Sequence, residues 1–183
     1  MLSTIDGGIW CVMQIRNNLK RSIENLSAQV TLFSLEGKKV AEGVAIAPLN
    51  RLRKEEAIPL SIFFPGPFEQ EVIAQANLLT TLPVNREADR FLNLAVEVEE
   101  VEIFTPGEQA TIHGMLSLAK NSQPANQIWL AAIAYDAHGE LVGIRKWEAA
   151  NNLEPGKSMP FEIDVFSIGP PIERVEILTE ARP

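Results

Sequence analysis

Apolar and polar residues alternate with period two in several short runs. Gln29-Val30-Thr31-Leu32-Phe33, Phe161-Glu162-Ile163-Asp164-Val165-Phe166 and Arg174-Val175-Glu176-Ile177-Leu178 all show it. That period places successive side chains on opposite faces of a sheet, so these runs are predicted strands. Turn-forming residues punctuate them: Glu36-Gly37-Lys38, Pro65-Gly66-Pro67, Thr105-Pro106-Gly107, His138-Gly139, Glu154-Pro155-Gly156 and Gly169-Pro170-Pro171. Short strands about 8–12 residues apart with such punctuation predict an antiparallel sandwich or barrel.

The same strand-and-turn order is written twice. Setting Gly37 on Gly139 aligns Phe33 with Tyr135 and Leu26 with Ile128. Each copy continues into a second strand, Val40 to Ala47 or Leu141 to Ala149. A polar turn anchored by Leu52 or Leu153 follows, then a proline-led strand from Pro59 or Pro160, a Pro/Gly loop, and a last strand at Val72 or Val175. On this alignment Cys11 falls opposite His113, a strand position that tolerates different residue types. Agreement in order, spacing and turn chemistry over about 70 residues predicts two copies of one structural unit.

The second copy resembles the FxLYD family of bacterial immunoglobulin-like domains. The matching residues are Trp129-Leu130-Ala131-Ala132-Ile133-Ala134-Tyr135-Asp136-Ala137-His138-Gly139-Glu140-Leu141-Val142-Gly143, followed by Leu153-Glu154-Pro155-Gly156-Lys157-Ser158-Met159-Pro160-Phe161. A strand ending in an aromatic, then Asp-x-x-Gly, then a leucine–Pro–Gly turn before Pro-Phe is the family signature. The first copy departs from it, with Ser34 in place of the aspartate and Lys54-Glu55 in place of Pro-Gly. The resemblance implies a seven-strand sandwich, commonly on cell-surface or membrane-anchored proteins, and supplies no catalytic residues to carry over. The expected fold class is therefore all-β, with two tandem immunoglobulin-like antiparallel β-sandwiches at residues 1–83 and 92–183 and a linker at 84–91.

The copies are unequal. Residues 92–103 supply a first strand to the second copy, with apolar side chains at Val96 and Val98 and then at Val101 and Ile103. The parity switch at Glu99-Glu100 predicts a β-bulge or a crossing between sheets. Only six residues precede Gly7-Gly8, too few for an equivalent strand. Either the first sandwich lacks that strand or the sequence begins inside a longer protein.

Composition narrows the function classes. The net charge of −8 sits in the second half, where sixteen acidic side chains face eight basic ones from Val84 onward; up to Pro83 the count is eight of each. An acidic surface repels phosphate backbones, which argues against nucleic acid as a partner. The basic clusters Lys20-Arg21, Arg51-Leu52-Arg53-Lys54 and Arg145-Lys146 are short and read as solvated charges. No run approaches the roughly 18 apolar residues of a membrane helix, and the start lacks the basic and apolar regions of a signal peptide. An extracytoplasmic or cell-surface segment of a longer chain is expected, with a cytoplasmic protein left open. One cysteine, Cys11, cannot form an internal disulfide.

Candidate chemistry is sparse. His113 and His138 are the only histidines, and neither has a Cys or second His at the spacing a zinc site needs. A nucleophilic pair of Cys11 and His113 would have to form across two domains. Glu97, Glu99, Glu100 and Glu102 carry enough oxygens for calcium, but they lie on a strand and read as a charged edge that deters aggregation. Acids suitable for glycoside hydrolysis abound, without an aromatic segment to line a sugar groove. Asn25-Leu26-Ser27 matches a glycosylation sequon. Trp10 and Trp129 are expected between sheets. Trp147, set among Arg145, Lys146 and Glu148, is either a packed edge residue or the anchor of an interaction surface formed with Arg145 and Lys146. The reading is a non-catalytic module without cofactor or metal. It spaces, or docks a protein or glycan through sheet faces or the Pro65-Gly66-Pro67 and Gly169-Pro170-Pro171 loops. The alternatives are an oligomerising subunit that pairs through an open edge of the first domain and a ligand-binding or hydrolytic enzyme domain.

Overall fold

The computed structural model describes residues 1–4, 6–68 and 70–183. It is all-β with antiparallel pairing throughout, apart from one helical turn, and divides into two compact units, Met1–Val84 and Asn85–Pro183. Each is an immunoglobulin-like sandwich.

The second unit holds strands β8 (Leu94–Phe104), β9 (Gln109–Leu118), β10 (Gln127–Tyr135), β11 (Leu141–Glu148), β12 (Ser158–Phe166) and β13 (Arg174–Arg182), preceded by the helical turn α1 (Glu87–Arg90). One sheet runs β12-β9-β8 and the other β11-β10-β13. Ile112, Leu116, Phe161, Ile163 and Val165 from the first sheet meet Ile128, Leu130, Ala132 and Ala134 from the second in one buried cluster. Each fully buried Leu, Ile or Phe stabilises by roughly 1.5–3 kcal/mol, so the interior suffices without a cross-link. Instead of a seventh strand there is a single bridge between Ala125 and Leu153. The bulge read from side-chain parity is present: the β8–β9 register shifts between Val98 and Glu100. The segment before β8 carries the turn α1 and then Phe91 and Leu92, both buried, with the Leu92 amide donating to the Ala181 carbonyl at 2.9 Å.

The first unit holds β1 (Leu2–Ser3), β2 (Ile9–Arg16), β3 (Ile23–Ser34), β4 (Lys39–Ile46), β5 (Arg51–Leu52), β6 (Ala57–Phe64) and β7 (Val72–Pro83). Its layers are β1-β2-β6 and β4-β3-β7, with β5 also on β3. Here the ladder is continuous, because one pair, Ile46 with Ser61, joins β4 to β6. Gly43 permits the close approach, since a Cβ there would meet Ile62 Cδ1 at 2.4 Å. Ala28, Val30 and Leu32 pack inward from one layer, and Cys11, Ile58 and Leu60 from the other, all buried.

The repeat extends to backbone hydrogen bonds. Leu32 pairs with Ala41 and Phe33 with Lys39, skipping Val40; Ala134 pairs with Gly143 and Tyr135 with Leu141, skipping Val142. Both hairpins therefore carry the same bulge, and both turn through a left-handed glycine, Gly37 (φ 82) and Gly139 (φ 79). The first copy's two departures from the signature keep the geometry. Ser34 Oγ accepts the Lys38 amide at 3.3 Å where Asp136 Oδ1 accepts the amides of His138 and Glu140 at 2.9 and 2.8 Å. Glu55 takes φ 66 where Gly156 takes φ 72.

One alignment detail is corrected. In β2 and β9 the copies are offset by one residue less than at the hairpins: Gln14 pairs with Pro59 as Met115 pairs with Pro160, and Cys11 pairs with Ile62 as Ile112 pairs with Ile163. Cys11 thus occupies the inward position of Ile112, not that of His113. Cys11 is buried, and the His113 side chain is 40% exposed.

Candidate functional site

The residues singled out around Trp147 do not form one surface. Along β11, Trp147 pairs with Leu130, Lys146 with Ala131 and Arg145 with Ala132. Leu130 and Ala132 belong to the core cluster, so Trp147 and Arg145 lie on the inward side and Lys146 on the outward side. Trp147 is half-buried against the core, its ring 6.3 Å from that of Phe161. Arg145 shares that side of the edge strand and is exposed. Trp147 is therefore a packed edge residue.

Trp10 and Trp129, expected between sheets, instead face outward. Ile9 and Cys11 take the inward positions of β2, and Trp10 packs on Phe63 of the neighbouring strand with centroids 5.2 Å apart. Trp129 alternates with the inward Ile128 and Leu130. It is only 9% exposed, because side chains close over it. Lys146 Nζ lies 4.8 Å and Arg182 Cζ 5.5 Å from its ring centroid, and Arg182 also lies 4.8 Å from the Phe91 ring. Further along the face Arg174 Cζ stands 4.1 Å over Tyr135, whose hydroxyl donates to Glu176 at 3.2 Å. The Arg182 guanidinium is held in turn by Glu180, whose side chain is fully buried, at 2.7 Å. Each cation–π contact contributes about 0.5–1 kcal/mol at such exposure. The outer face of the β11-β10-β13 sheet is thus an aromatic row with cations on its rings, and the contacts are internal to the fold.

Other candidates are likewise placed in structural roles. His113 Nδ1 sits 3.6 Å from Glu162, its cross-strand partner, and Glu100 pairs with it from the other side. Among the described residues no group of three or more His, Cys, Asp or Glu side chains is gathered to hold a metal. The β8 glutamates lie along an exposed strand. Ser167 Oγ takes the Gly169 amide at 3.0 Å and donates to the Pro170 carbonyl at 2.6 Å, which ties the Gly169-Pro170-Pro171 loop to itself. Burial pushes the Cys11 thiol pKa up, with the terminal ammonium pulling the other way.

Sequence reasoning passed over Asn17. It is 2% exposed, its amide nitrogen reaches the carbonyls of Arg21, Leu52 and Arg53 at 2.9–3.2 Å, and its Oδ1 accepts the Leu19 amide. It clamps two loops at the end of β2. The only sequence signal was an asparagine closing a strand where the other copy has Leu118.

The two units differ most on the side of their first strands. In the second, β8 pairs with β9 from Leu94 to Phe104, and Leu94 and Val96 pack on the core. Facing inward on β13, Val175 and Ile177 pack against that cluster and Ala181 is fully buried. In the first, Leu2 and Ser3 pair with Trp10 and Ile9, and beyond Trp10 β2 has β6 as its sole neighbour among the described residues. On β7, Leu78 pairs with the inward Ala28, yet Leu78 is 56% exposed and the neighbouring inward Ala76 is exposed too.

No family model and no curated protein matches the chain. Solved structures of Bacteroides uniformis β-glucuronidases are loosely similar to it. One, covalently bound to cyclophellitol-6-carboxylate aziridine, aligns at 16% identity over 90% of this chain and 22% of that one, with a TM-score of 0.27. A calcium-binding mutant aligns at 15% identity over 91% and 23%, and a further structure at 15% over 89% and 22%, each with a TM-score of 0.27. The chain spans less than a quarter of the length of those proteins. The architecture given above rests on the strand pairing itself. No helix among the described residues is long and apolar enough to cross a membrane.

Proposed function

We propose that the chain is a non-catalytic tandem immunoglobulin-like module that spaces, or docks a protein or glycan partner, as part of a bacterial cell-surface or membrane-anchored protein of the FxLYD kind. One observation carries the reading: the polar side chains best suited to chemistry are committed to holding the fold. Asp136 closes a hairpin, Glu180 grips Arg182, Thr111 donates to Asp164 across the β9–β12 ladder, and Asn17 clamps two loops. The location follows from the family resemblance in the second copy. Incubating the full chain with aryl glycosides, glucuronides included, tests the non-catalytic reading: no release above the buffer rate is expected, and turnover overturns it. Protease added to intact cells tests the location. Cleavage is expected, and complete protection overturns it.

A second reading, an oligomerising subunit, is favoured by the open side of the first unit alone. Light scattering that shows a strict monomer at high concentration removes it.

A further inference from the structure

The outer face of the β12-β9-β8 sheet is laid out in rungs. Ile112, Leu116, Ile163 and Val165 point into the core, so the residues that alternate with them point out. Two neighbouring rungs carry carboxylates on both flanks. Glu102 and Asp164 stand either side of Thr111, and Glu100 and Glu162 either side of His113. The rung at the end of the sheet carries a phenylalanine on both flanks of Gln109: Phe104, 42% exposed, and Phe166, 54% exposed. None of the three strands contains a lysine or an arginine. The fold does not require this arrangement. In the first unit the equivalent outward positions hold Trp10 and Phe63, then Val12 and Ser61, and neither β2 nor β6 contains a carboxylate.

The arrangement also costs stability. Carboxylates at successive outward positions of one strand stand about 7 Å apart. That is within the Debye length of about 8 Å at physiological salt, so they repel one another. Glu100 and Glu102 join no ion pair among the described residues that would offset it. The aromatic rings are likewise left to solvent, whereas on the outer face of the other sheet Trp129 and Tyr135 are capped by Lys146 and Arg174 of the fold itself. Uncompensated carboxylates beside open rings are the complement of a guanidinium, which pairs with the first and stacks on the second.

We propose that this face docks an extended, arginine-bearing segment of a partner protein. Alternate side chains of such a segment match the rung spacing. Its guanidinium groups sit at the two acidic rungs, and one stacks on Phe104 or Phe166 as Arg174 stacks on Tyr135. Charge complementarity selects the occupant: a second copy of this chain, with its net charge of −8, would bring like charge to the face, as would nucleic acid or an anionic lipid surface. The inference rests on the docking reading and gives the partner its chemistry. Neither the glycoside assay nor the protease assay depends on these side chains, so its failure leaves both results standing.

The test is calorimetric titration of the full chain with a synthetic peptide alternating arginine and serine, with amide shifts followed by NMR. One peptide per chain is expected, with binding that fades as salt rises and shifts centred on β8, β9 and β12. Glu100→Gln with Glu102→Gln is expected to weaken binding about tenfold, with a urea midpoint no lower than the parent's. Glu36→Gln with Glu71→Gln removes the same charge from exposed turns of the first unit, and is expected to leave affinity within about twofold. A lysine–serine peptide of the same length is expected to bind more weakly, and Phe104→Ala with Phe166→Ala to abolish that preference. Absence of binding, equal weakening by the two glutamate pairs, or shifts confined to other strands overturns the proposal. So does equal binding of the lysine peptide or of spermine, which would reduce the face to an unselective pool of negative charge.

Discussion

The two sandwiches share turns, bulges and pairing register, yet one side of each is finished differently. In the second unit the strand before the repeat runs the length of β9, and the β13 side chains facing it sink into the core. In the first, the corresponding contact ends after two pairs, and Leu78 and Ala76 are left at the surface. The difference teaches that five strands common to both units, β2/β9, β3/β10, β4/β11, β6/β12 and β7/β13, carry the core. The outermost strand completes one flank without defining the topology.

The comparison breaks most sharply at Gly114. A Cβ there would meet the Glu97 carbonyl oxygen at 2.3 Å and the Phe161 ring at 2.7 Å, so Gly114→Ala must push β8 off β9 or displace Phe161. A loss of about 3 kcal/mol is expected in the second unit, with amide exchange in β2 and β6 unchanged. Next come the tryptophans. Trp147→Ala should cost about 2–3 kcal/mol, because the ring packs on the core, and Trp10→Ala, on an outer face, about 1 kcal/mol or less. Urea unfolding followed by exchange in each unit checks the order, and a reversed order would contradict the face assignment.

Smaller effects sharpen the comparison. Glu55 holds the left-handed conformation that Gly156 holds in the other copy. A non-glycine residue there costs on the order of 1 kcal/mol, and its ion pair with Lys54 is exposed and contributes little. Glu55→Gly should raise the urea midpoint of the first unit by about 1 kcal/mol of stability. The least effect concerns Cys11. Its folded pKa is raised by burial, so its contribution is fully present below the ordinary thiol range and is lost as pH climbs through the folded value. Unfolding the parent chain and Cys11→Ala at pH 7.5 and at pH 10 should show a larger alkaline loss in the parent.

What the sequence disclosed and what it hid have physical causes. The β8 bulge was legible because polar and apolar residues alternate cleanly there, so a change of parity is visible. The faces of Trp129 and Trp147 were not. β10 is buried on both sides from Ile128 to Tyr135, and a strand without polar positions has no readable face. The charges beside Trp147 pointed to solvent, but on an edge strand Arg145 reaches water from the same side on which Trp147 packs inward. The shift that moved Cys11 onto Ile112 was hidden in the loops, because alignment anchored at the glycine turns carries no information about β2. The shortness of β1 was legible in the few residues before Gly7. The exposed stripe on β7 was not, since it needs the pairing of Leu78 with Ala28.

A Cβ built on Gly37 or Gly139, at the two hairpin tips, would meet nothing within 4 Å. Fluorophores attached at the exposed Glu36 and Ala137 would therefore ride on the rigid sheets without disturbing them. Energy transfer between the two dyes would turn the duplicated turn into a molecular ruler.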